Sequence, residues 1–276
     1  MRVLVAGGTG RLGSLVVRQL TDNGAVVRVL TRDPRRAVHL ESQGVEVVEG
    51  DLRQAATLPA ALADVDVVVS AVQGFAGPGG VSPKTVDLEG NLNLIAAAER
   101  SRTAVVLVSI VGAAADSPME LFRCKYAAEQ RLKAGSVPWT IVRSVAFLEL
   151  WVDLVGKGVV FGRGDNPISF VSVRDVAGVV VEAVLDPGRR GEEIDVVGPR
   201  SLSFNQLAAQ MRELRGAPRR VRHVPRLLLR AMAPLHRQPA AALVMDTIDM
   251  TSASRTGARV GETPVEQALV QAGGAG

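Results

Sequence analysis

Residues 2–13 read RVLVAGGTGRLG, and they carry the strongest indication of fold class in the chain. Its first five residues form an apolar, β-branched run that predicts a buried parallel strand over Arg2–Ala6. Gly7, Gly10 and Gly13 follow with GxxGxxG spacing, and a helical pattern begins after them. Such glycines allow a tight turn, a close backbone approach to a ligand and close packing of helix on strand. Because the helix N-terminus suits a pyrophosphate, the stretch predicts dinucleotide binding rather than a glycine-rich turn without a ligand.

After residue 13, strands and helices alternate along the chain. The pattern predicts five further strands, at residues 25–30, 45–49, 66–70, 104–108 and 137–142, and helices near Gln54–Leu62, Lys84–Arg100 and Pro118–Ala134. Six β-α repeats are typical of the α/β class, with a doubly wound parallel sheet and right-handed crossovers.

Beyond residue 145 the alternation ends, and shorter elements follow. We expect helices at Phe147–Val155, Val173–Leu185, Phe204–Arg215 (started by Ser203) and Pro264–Gln271, a proline-broken helical stretch over 224–250, and strands at Val159–Phe161, Ile168–Val171 and Glu193–Val197. We therefore predict a cofactor-binding domain over residues 1–150, a small C-terminal α+β substrate-binding region over 151–251 packed on it, and a tail over 252–276.

The composition is that of a globular protein, with 276 residues of which 47% are hydrophobic and 22% charged. We expect a soluble cytoplasmic protein, because no run of eighteen apolar residues occurs and the chain starts with a strand rather than a signal peptide. The single cysteine, Cys124, excludes an internal disulfide and predicts a small buried apolar residue. His39, His223 and His236 lack metal-ligand spacing, so we predict no metal site.

The net charge is +4, and eight arginines crowd into residues 212–237. The aromatic content is 3%, so this arginine-rich segment is better explained as a solvated helical face, or as a wall facing an anionic ligand, than as a nucleic-acid site. The expected partner is a small-molecule substrate, with no nucleic acid and no membrane. The sequence leaves the oligomeric state open between monomer and homodimer.

The end of the second strand carries a base where NAD-preferring sites usually carry an acid. Arg32 lies 19 residues after Gly13, and Arg11, Arg35 and Arg36 can add positive charge nearby. A guanidinium at this place would bind a 2′-phosphate through charge-assisted hydrogen bonds. The sequence therefore favours NADP(H) over NAD(H), although Arg35 and Arg36 also fit a solvated helix start.

Ligands of open α/β sheets bind along the carboxyl edge of the strands. Asp51 follows the third strand, where it could accept from the adenine amino group or cap the next helix; the sequence does not decide between the two. The fourth strand ends at Ser70, so Ala71 and Val72 would pass the cofactor ribose. The glycine- and proline-rich loop over residues 74–83 is of the kind that lines substrate sites.

Several motifs resemble a known family. They are GGTGRLG at the start, GDL after the third strand, VSIVG after the fifth, FRCKYAAEQRLKAGSVPWTIVRSVAFLE, and FVSVRDVA. Together they are similar to the NmrA-like group of atypical short-chain dehydrogenase/reductases over roughly residues 1–250, most specifically from Cys124 to Phe147. The resemblance implies a Rossmann fold, NADP(H) binding and a substrate pocket between the sheet edge and the C-terminal elements.

The resemblance also assigns roles to individual residues. Gly7, Thr9, Gly10, Arg11, Leu12 and Gly13 match the phosphate loop, and Arg32 matches the 2′-phosphate contact. Asp51 and Leu52 match the adenine contacts, and Ser70, Ala71 and Val72 match the ribose wall. Lys125 matches the lysine that holds the nicotinamide ribose, and Ser109 stands at the position of the short-chain serine.

One position departs from the family pattern. Short-chain reductases usually carry a tyrosine four residues before the lysine, where its phenol protonates the substrate. Here that position is Leu121, and Phe122 stands three residues before Lys125. Tyr126 lies about 100° round the helix from Lys125, which predicts a packing residue. Losing a general acid costs on the order of 10²–10⁴ in rate. Lys125, as ammonium, could supply the proton or stabilise an oxyanion, and acceptors that need little proton donation, such as quinones or activated double bonds, would suffer least.

Our first hypothesis is an NADPH-dependent oxidoreductase that passes hydride to a quinone, a carbonyl or an activated alkene, with Ser109 polarising the acceptor. The second is a non-enzymatic NADP(H)-binding sensor or regulatory protein, and a weaker third is a non-redox isomerase. The predicted pocket wall comprises Phe75, Phe147, Leu150, Trp151 and Phe170. Large apolar residues are also commonly plain core residues, so that alternative stays open for each of them.

Overall fold

The computed structural model describes residues 1–75, 79–216, 220–232, 242, 246 and 257–271. Contacts divide the chain into two compact units, one of Met1–Arg143 with Val176–Ile194 and one of Ser144–Asp175 with Asp195–Gly276. Residues 176–194 thus belong with the N-terminal part of the chain. The functional ranges 1–150, 151–251 and 252–276 remain a prediction.

The strands are numbered in chain order. They are β1 Arg2–Ala6, β2 Val26–Thr31, β3 Glu46–Glu49, β4 Val67–Ser70, β5 Ala104–Ile110, β6 Trp139–Ser144, β7 Ala146–Phe147, β8 Val159–Phe161, β9 Ile168–Val171, β10 Glu193–Val197, β11 Ser201–Leu202, β12 Arg222–Val224 and β13 Arg259–Val260.

The sheet of the first unit runs in the order β3-β2-β1-β4-β5-β6, followed by β10, which begins in this unit. β1 pairs in parallel with β2 on one side, where Val5 faces Val29, and with β4 on the other, where Val5 faces Val69. This confirms the predicted parallel sheet. The chain order reverses between β1 and β4, and a reversal of this kind opens a crevice at the carboxyl ends of the strands.

The helices are likewise numbered in chain order. They are α1 Arg11–Asp22, α2 Val38–Glu41, α3 Leu58–Ala61, α4 Asn91–Ser101, α5 Glu120–Lys133, α6 Leu148–Gly156, α7 Val173–Leu185, α8 Phe204–Arg215, α9 Arg226–Met232 and α10 Val265–Gln271.

Two helices of the first unit differ from the prediction. The stretch expected as one helix over Lys84–Arg100 is a π-helix, Pro83–Gly90, followed by α4. The helix expected over Gln54–Leu62 is a 3₁₀ turn, Ala55–Thr57, followed by the short α3. Pro59 explains the second difference, because a proline has no N–H to donate to a preceding turn and sits at the start of a helix.

The core of the first unit is built from the inward faces of the strands and helices. Leu4, Val68 and Leu107 from the strands, and Leu94 and Leu132 from the helices, are fully buried in it. The strands read as continuous apolar runs because parallel strands are buried on both faces. This packing holds the carboxyl ends of β1, β2, β3, β4 and β5 in fixed places.

The second unit has small sheets and its own core. β9 pairs in parallel with β7 and antiparallel with β11, β8 pairs in parallel with β12, and β13 pairs in parallel with β10. Ser203 caps α8 by accepting the N–H of Gln206, as its sequence predicts. The prediction that a helix starts at Phe147 is wrong. Phe147 is the last residue of β7 and the N-cap residue of α6, which begins at Leu148.

Two further predictions concern segments of the second unit that the structure describes only in part. Of the stretch 224–250, expected to be helical, Arg226–Met232 is helical and Val224 ends a strand, whereas 233–241, 243–245 and 247–250 lie outside the described residues. Within the arginine-rich segment 212–237, residues 217–219 and 233–237 lie outside them as well. No helix in the described ranges has the length and apolar character needed to cross a membrane.

Candidate functional site

The backbone of the glycine turn between β1 and α1 packs directly against neighbouring backbone. Gly7 has a φ of +87°, and a Cβ there would lie 2.7 Å from the carbonyl oxygen of Ala71, just beyond β4. A Cβ on Gly13 would lie 2.1 Å from the carbonyl oxygen of Gly7, so α1 rests on the turn with no room for a side chain. The Gly10 N–H closes the turn on the Gly7 carbonyl at 2.9 Å. Gly7 and Gly13 therefore serve close backbone approach, as their spacing predicts.

The N-terminus of α1 presents main-chain groups to its surroundings. Gly10 is the exposed N-cap residue, and a Cβ there would meet only the Gly7 carbonyl oxygen, at 3.2 Å. The first turn, Arg11 to Ser14, contains no acidic residue. Arg11 is exposed, whereas Leu12 is buried beneath the turn. A helix end made of glycine, with no acid nearby, fits a pyrophosphate group.

The ends of β2 and β3 lie side by side. The Gly50 N–H donates to the Thr31 carbonyl at 2.9 Å, which places Asp51 beside the residue after β2, Arg32. The Arg32 side chain is exposed. The neighbouring Arg35 instead donates to Asp33 at 2.8 Å. Arg32 is therefore the arginine whose position fits the predicted 2′-phosphate contact.

Asp51 binds a residue that the sequence reasoning did not single out. Its carboxylate accepts from the Arg53 backbone N–H at 2.9 Å and from the Arg53 guanidinium at 2.7 Å. Burial acts to raise the pKa of the Asp51 carboxyl, but the hydrogen bonds from Arg53 outweigh burial, and the charge of Arg32 lowers the pKa further. The pKa of Asp51 therefore lies below its ordinary value. The alternative role as a helix cap is wrong, because Gln54 holds the N-cap position of the 3₁₀ turn that follows.

Arg53 also reaches the loop that follows β4. Its Nη1 donates to the Gly79 carbonyl at 2.6 Å. One guanidinium thus ties the end of β3 to the loop around residue 79. In the sequence, Arg53 is recognisable only as a basic residue two positions after Asp51. Basic residues are common at turns, so this spacing does not predict the contact with Gly79.

Lys125, on α5, is buried and contacts three acceptors. Its Nζ lies 3.0 Å from the Val72 carbonyl oxygen, 3.0 Å from the Val108 carbonyl oxygen and 3.1 Å from Oδ1 of Asp87. The two carbonyl contacts are hydrogen bonds, whereas the contact with Asp87 is an ion pair, because Oδ1 of Asp87 has no hydrogen-bond partner among the described residues. Lys125 therefore joins the carboxyl ends of β4 and β5 to the π-helix.

Asp87 lies in the π-helix and is fully buried. Its Oδ2 accepts the Gly74 N–H at 2.8 Å, and its main-chain carbonyl accepts the side-chain amide of Asn91 at 2.8 Å. Asn91 in turn accepts the hydroxyl of Ser70 at 2.6 Å, so the Ser70 side chain is held within this network. The sequence reasoning missed Asp87, because nothing in its local pattern separates a buried carboxylate from a solvated one.

Ser109 lies in β5, directly after Val108, and is 3% exposed. Among the described residues, its hydroxyl has no hydrogen-bond partner. A buried hydroxyl left without a partner costs about 1–3 kcal/mol, and a ligand that supplies the missing partner removes that cost. Ser109 therefore fits the predicted polar contact to a substrate.

The helix turn before Lys125 is apolar. Leu121 and Phe122 are each 5% exposed and pack in the core, whereas Tyr126 is half-buried. Burial raises the pKa of the Cys124 thiol, which keeps the thiol protonated and unreactive. Among the described residues, no cluster of histidine, cysteine and carboxylate side chains could hold a metal ion.

The predicted pocket wall is divided between the two units. Phe75 is a half-buried residue of the first unit, and Phe147 is a half-buried residue of the second. Phe170 is 1% exposed and lies 5.8 Å from the ring of Phe204, which also packs against Trp151 at 4.9 Å. These contacts favour the core interpretation for Phe170 and Trp151, while Leu150, at 49% exposed, lies at the surface. A role in substrate binding remains a prediction for each.

A family model described as NAD(P)H-binding matches residues 7–187 of the chain. An NAD(P)H azoreductase of Xenophilus azovorans is 33% identical over 229 residues, covering 80% of this chain and 76% of the relative. A photosystem II assembly factor of Synechocystis sp. is 33% identical over 240 residues, covering 84% and 73%. A (4-alkanoyl-5-oxo-2,5-dihydrofuran-3-yl)methyl phosphate reductase of Streptomyces griseus is 32% identical over 276 residues, covering 97% and 92%.

Two solved structures share the fold. An NADPH-dependent quinone oxidoreductase of Escherichia coli, complexed with NADPH, has a TM-score of 0.80 at 20% identity and covers 98% of this chain and 99% of its own. A triphenylmethane reductase of Citrobacter sp., complexed with NADP(H), has a TM-score of 0.76 at 22% identity and covers 98% and 99%. At these identities the likeness concerns the fold alone.

Proposed function

The chain belongs to the NAD(P)H-binding family, and we propose that it is an NADPH-dependent reductase acting on a conjugated, electron-poor acceptor. The observation that carries the proposal is the apolar pair of Leu121 and Phe122, which stand four and three residues before Lys125. Leu121 and Phe122 fill, with buried hydrocarbon, the place of a general acid. An enzyme built in this way serves acceptors that take a hydride without a proton from that position.

The residues present fit the cofactor. The α1 N-terminus with its glycine cradle would hold the pyrophosphate, Asp51 and Leu52 would line the adenine, and Ala71 and Val72 would line the ribose. When bound, the nicotinamide supplies a hydride. The Arg32 guanidinium, exposed at the end of β2, would bind the 2′-phosphate, which favours NADPH over NADH.

Two relatives support the acceptor class. Their names describe the reduction of an azo compound and of a dihydrofuranone carrying an alkanoyl group. Each such acceptor has a conjugated double bond that accepts a hydride readily. We propose the same chemical class, a quinone or an activated alkene, for this chain.

In the proposed reaction, Ser109 is the residue that contacts the acceptor. Its unpartnered hydroxyl would donate a hydrogen bond to the acceptor oxygen, where negative charge develops as hydride arrives. The reduced acceptor then takes its proton from water. Lys125 would hold the nicotinamide ribose.

The test is to mix the purified chain with NADPH and a panel of quinones, an azo dye and an unsaturated lactone, and to follow NADPH absorbance. We expect oxidation with at least one of these acceptors. Tight NADPH binding without absorbance loss on any acceptor would overturn the enzyme proposal. Calorimetry that detects neither NADP⁺ nor NADPH at millimolar levels would overturn the cofactor assignment itself.

A second candidate is a non-enzymatic NADP(H)-binding protein that assists a partner. The relative described as an assembly factor supports it, as do the contacts that Lys125 makes within the protein, with two main-chain carbonyls and the Asp87 carboxylate. The same panel separates the two candidates, because this one predicts cofactor binding with no turnover.

A further inference from the structure

Helix α9 presents large apolar side chains to its surroundings. Leu227 is 79% exposed, Leu228 is 49% exposed and Met232 is 37% exposed. Leu228 and Met232 lie four residues apart on one side of the helix, and Leu227 lies beside them. Exposed apolar residues that adjoin one another are typical of an interaction surface, whereas single scattered ones need no explanation. The outward side of α9 is therefore a candidate docking surface.

The inward side of α9 is held in place. Leu229 is 1% exposed. The Arg226 guanidinium donates to the buried carboxylate of Asp246 and, at 3.0 Å, to the Asp246 main-chain carbonyl. Rolling the helix to bury Leu227 would expose Leu229 and separate Arg226 from a buried carboxylate, and both changes are costly. The outward leucines therefore need a partner from outside the chain if they are to be buried.

Basic side chains accompany this helix. Five of the described basic side chains on α9 and around the neighbouring strands β8 and β12 are exposed, namely Lys157, Arg163, Arg220, Arg222 and Arg230. β8 and β12 pair in parallel, and the Gly162 N–H donates to the Val224 carbonyl at 3.0 Å, so these residues stand on adjoining segments. Asp165 is an exposed acid in the same turn and accepts the side-chain amide of Asn205. Positive charge predominates over this region, which together with Leu227, Leu228 and Met232 is termed the α9 surface.

The charge of the α9 surface argues against two occupants. A second copy of the chain that docked through the same surface would bring the arginines of both copies together, and like charges repel. A nucleic acid would match the charge but would leave the leucines without a partner, because bases stack on aromatic side chains, which make up 3% of the chain.

The chemistry of the α9 surface fits an anionic bilayer better than an acidic protein. Leucine is under-represented among the residues that dominate protein–protein binding, where tryptophan and tyrosine are enriched. At the face of a bilayer, anionic headgroups bind arginine, and the hydrocarbon just beneath them accepts leucine and methionine. From the sequence, the arginine-rich segment fits a solvated face or a wall facing an anionic ligand, and the exposed leucines favour the second.

We propose that the α9 surface binds the face of an anionic phospholipid bilayer, with Leu227, Leu228 and Met232 inserted among the headgroups and the arginines on the phosphates. A helix that lies on a bilayer needs neither the length nor the uniform apolar character of a spanning helix. The proposal differs from the sequence-based expectation that the chain has no membrane partner. It goes beyond the proposed function, which does not require a bilayer.

The test is sedimentation of the full chain with vesicles. One set consists of phosphatidylcholine alone, and the other is an equimolar mixture of phosphatidylcholine and phosphatidylglycerol. We expect binding to the mixed vesicles to exceed binding to phosphatidylcholine about tenfold or more, and to weaken as salt is added.

The leucines are tested by combining Leu227→Ser with Leu228→Ser. Binding to the mixed vesicles should weaken about 10- to 100-fold, because two side chains lose their contact with hydrocarbon. Leu185→Ser, at a leucine that is 38% exposed in the first unit, is the matched control and should leave vesicle binding unchanged. Because Leu227 and Leu228 are exposed, the double variant should keep the melting temperature and the NADPH affinity of the wild type.

The arginines are tested by combining Arg222→Gln with Arg230→Gln. At about fivefold for each arginine, binding to the mixed vesicles should weaken about 25-fold. Arg18→Gln combined with Arg100→Gln is the control, since these arginines are exposed on helices of the first unit and their loss changes the net charge equally. An equal loss in the control would mean that net charge, rather than the α9 surface, governs binding, and would overturn the proposal.

Three further results would overturn it. The wild-type chain could bind neither vesicle type, which would favour an acidic protein as the occupant, or could bind both equally. Binding could also depend on the arginines but not on the leucines, which would mean attraction by charge without insertion. The proposed function is tested separately by NADPH oxidation, so either proposal can fail while the other stands.

Discussion

Gly7 and Ala71 meet through their main chains, and a Cβ on Gly7 would lie 2.7 Å from the Ala71 carbonyl oxygen. The contact joins the turn after β1 to the residue after β4, which is the point at which the strand order reverses. The predicted phosphate loop and the predicted ribose wall are therefore parts of one packed backbone structure. A change on either side displaces both.

Gly7→Ala is expected to destabilise the chain more than a glycine substitution that meets only backbone strain. Gly24 is the matched control, since its φ is +78° and a Cβ there would meet nothing within 4 Å. Gly24→Ala should cost about 1–2 kcal/mol from the left-handed conformation. Gly7→Ala should cost about 2 kcal/mol more and abolish cofactor binding, because the methyl group also forces the two segments apart. Denaturant unfolding and calorimetry measure both effects, and equal free energies of unfolding for the two variants would contradict the clash.

The sequence predicts local features of this site well and pairings between distant segments poorly. The Gly7 turn, the start of α1 and the Ser203 cap depend on residues a few positions apart, so spacing alone identifies them. Asp87 and Lys125 lie in different helices, and no spacing rule relates them. The role of Asp51 was open for a different reason, because Arg53 is only two residues away but its guanidinium could also have pointed to solvent.

Ser109→Ala should reduce reductase activity without lowering stability. The hydroxyl is buried and has no partner among the described residues, so removing it also removes an unsatisfied polar group. We expect kcat/KM for a quinone to fall about 10²- to 10³-fold, as for loss of one oxyanion donor, while the melting temperature stays level or rises. Ser70→Ala is the contrasting variant, because that hydroxyl donates to Asn91 and its loss should lower the melting temperature. Unchanged turnover in Ser109→Ala would remove Ser109 from the site.

Arg32→Ala should lower the affinity for NADPH and leave the affinity for NADH almost unchanged. A charge-assisted contact to the 2′-phosphate contributes about 1.5–3 kcal/mol, or about 10- to 150-fold in Kd. Arg35→Ala is the matched control, since its guanidinium already binds Asp33 and its loss should change NADPH binding little. Titration of both cofactors by calorimetry gives the two ratios. A larger effect at Arg35 than at Arg32 would reassign the phosphate contact.

The network around Arg143 predicts how stability responds to acid. Arg143 donates to the buried Glu129 at 2.6 Å and to Glu193 at 2.5 Å, and Lys133 donates to Glu193 at 2.9 Å. Burial acts to raise the pKa of the Glu193 carboxyl, but the hydrogen bond from Lys133 and the charge of Arg143 outweigh burial, and the pKa lies below its ordinary value.

A carboxyl whose pKa is lowered on folding stabilises the protein above its unfolded pKa, about 4.3 for glutamate, and this stabilisation is lost as pH falls through the folded pKa. The free energy of unfolding should therefore drop below about pH 4.5. Glu193→Gln should lower stability by about 1 kcal/mol at pH 7, since Glu193 is partly exposed, and should flatten this acid dependence. Glu41→Gln, at an exposed position, is the control and should leave the slope as in the wild type. Denaturant unfolding from pH 7 to pH 3 measures each slope, and a Glu193→Gln slope as steep as that of the wild type would show that other carboxylates carry the acid sensitivity.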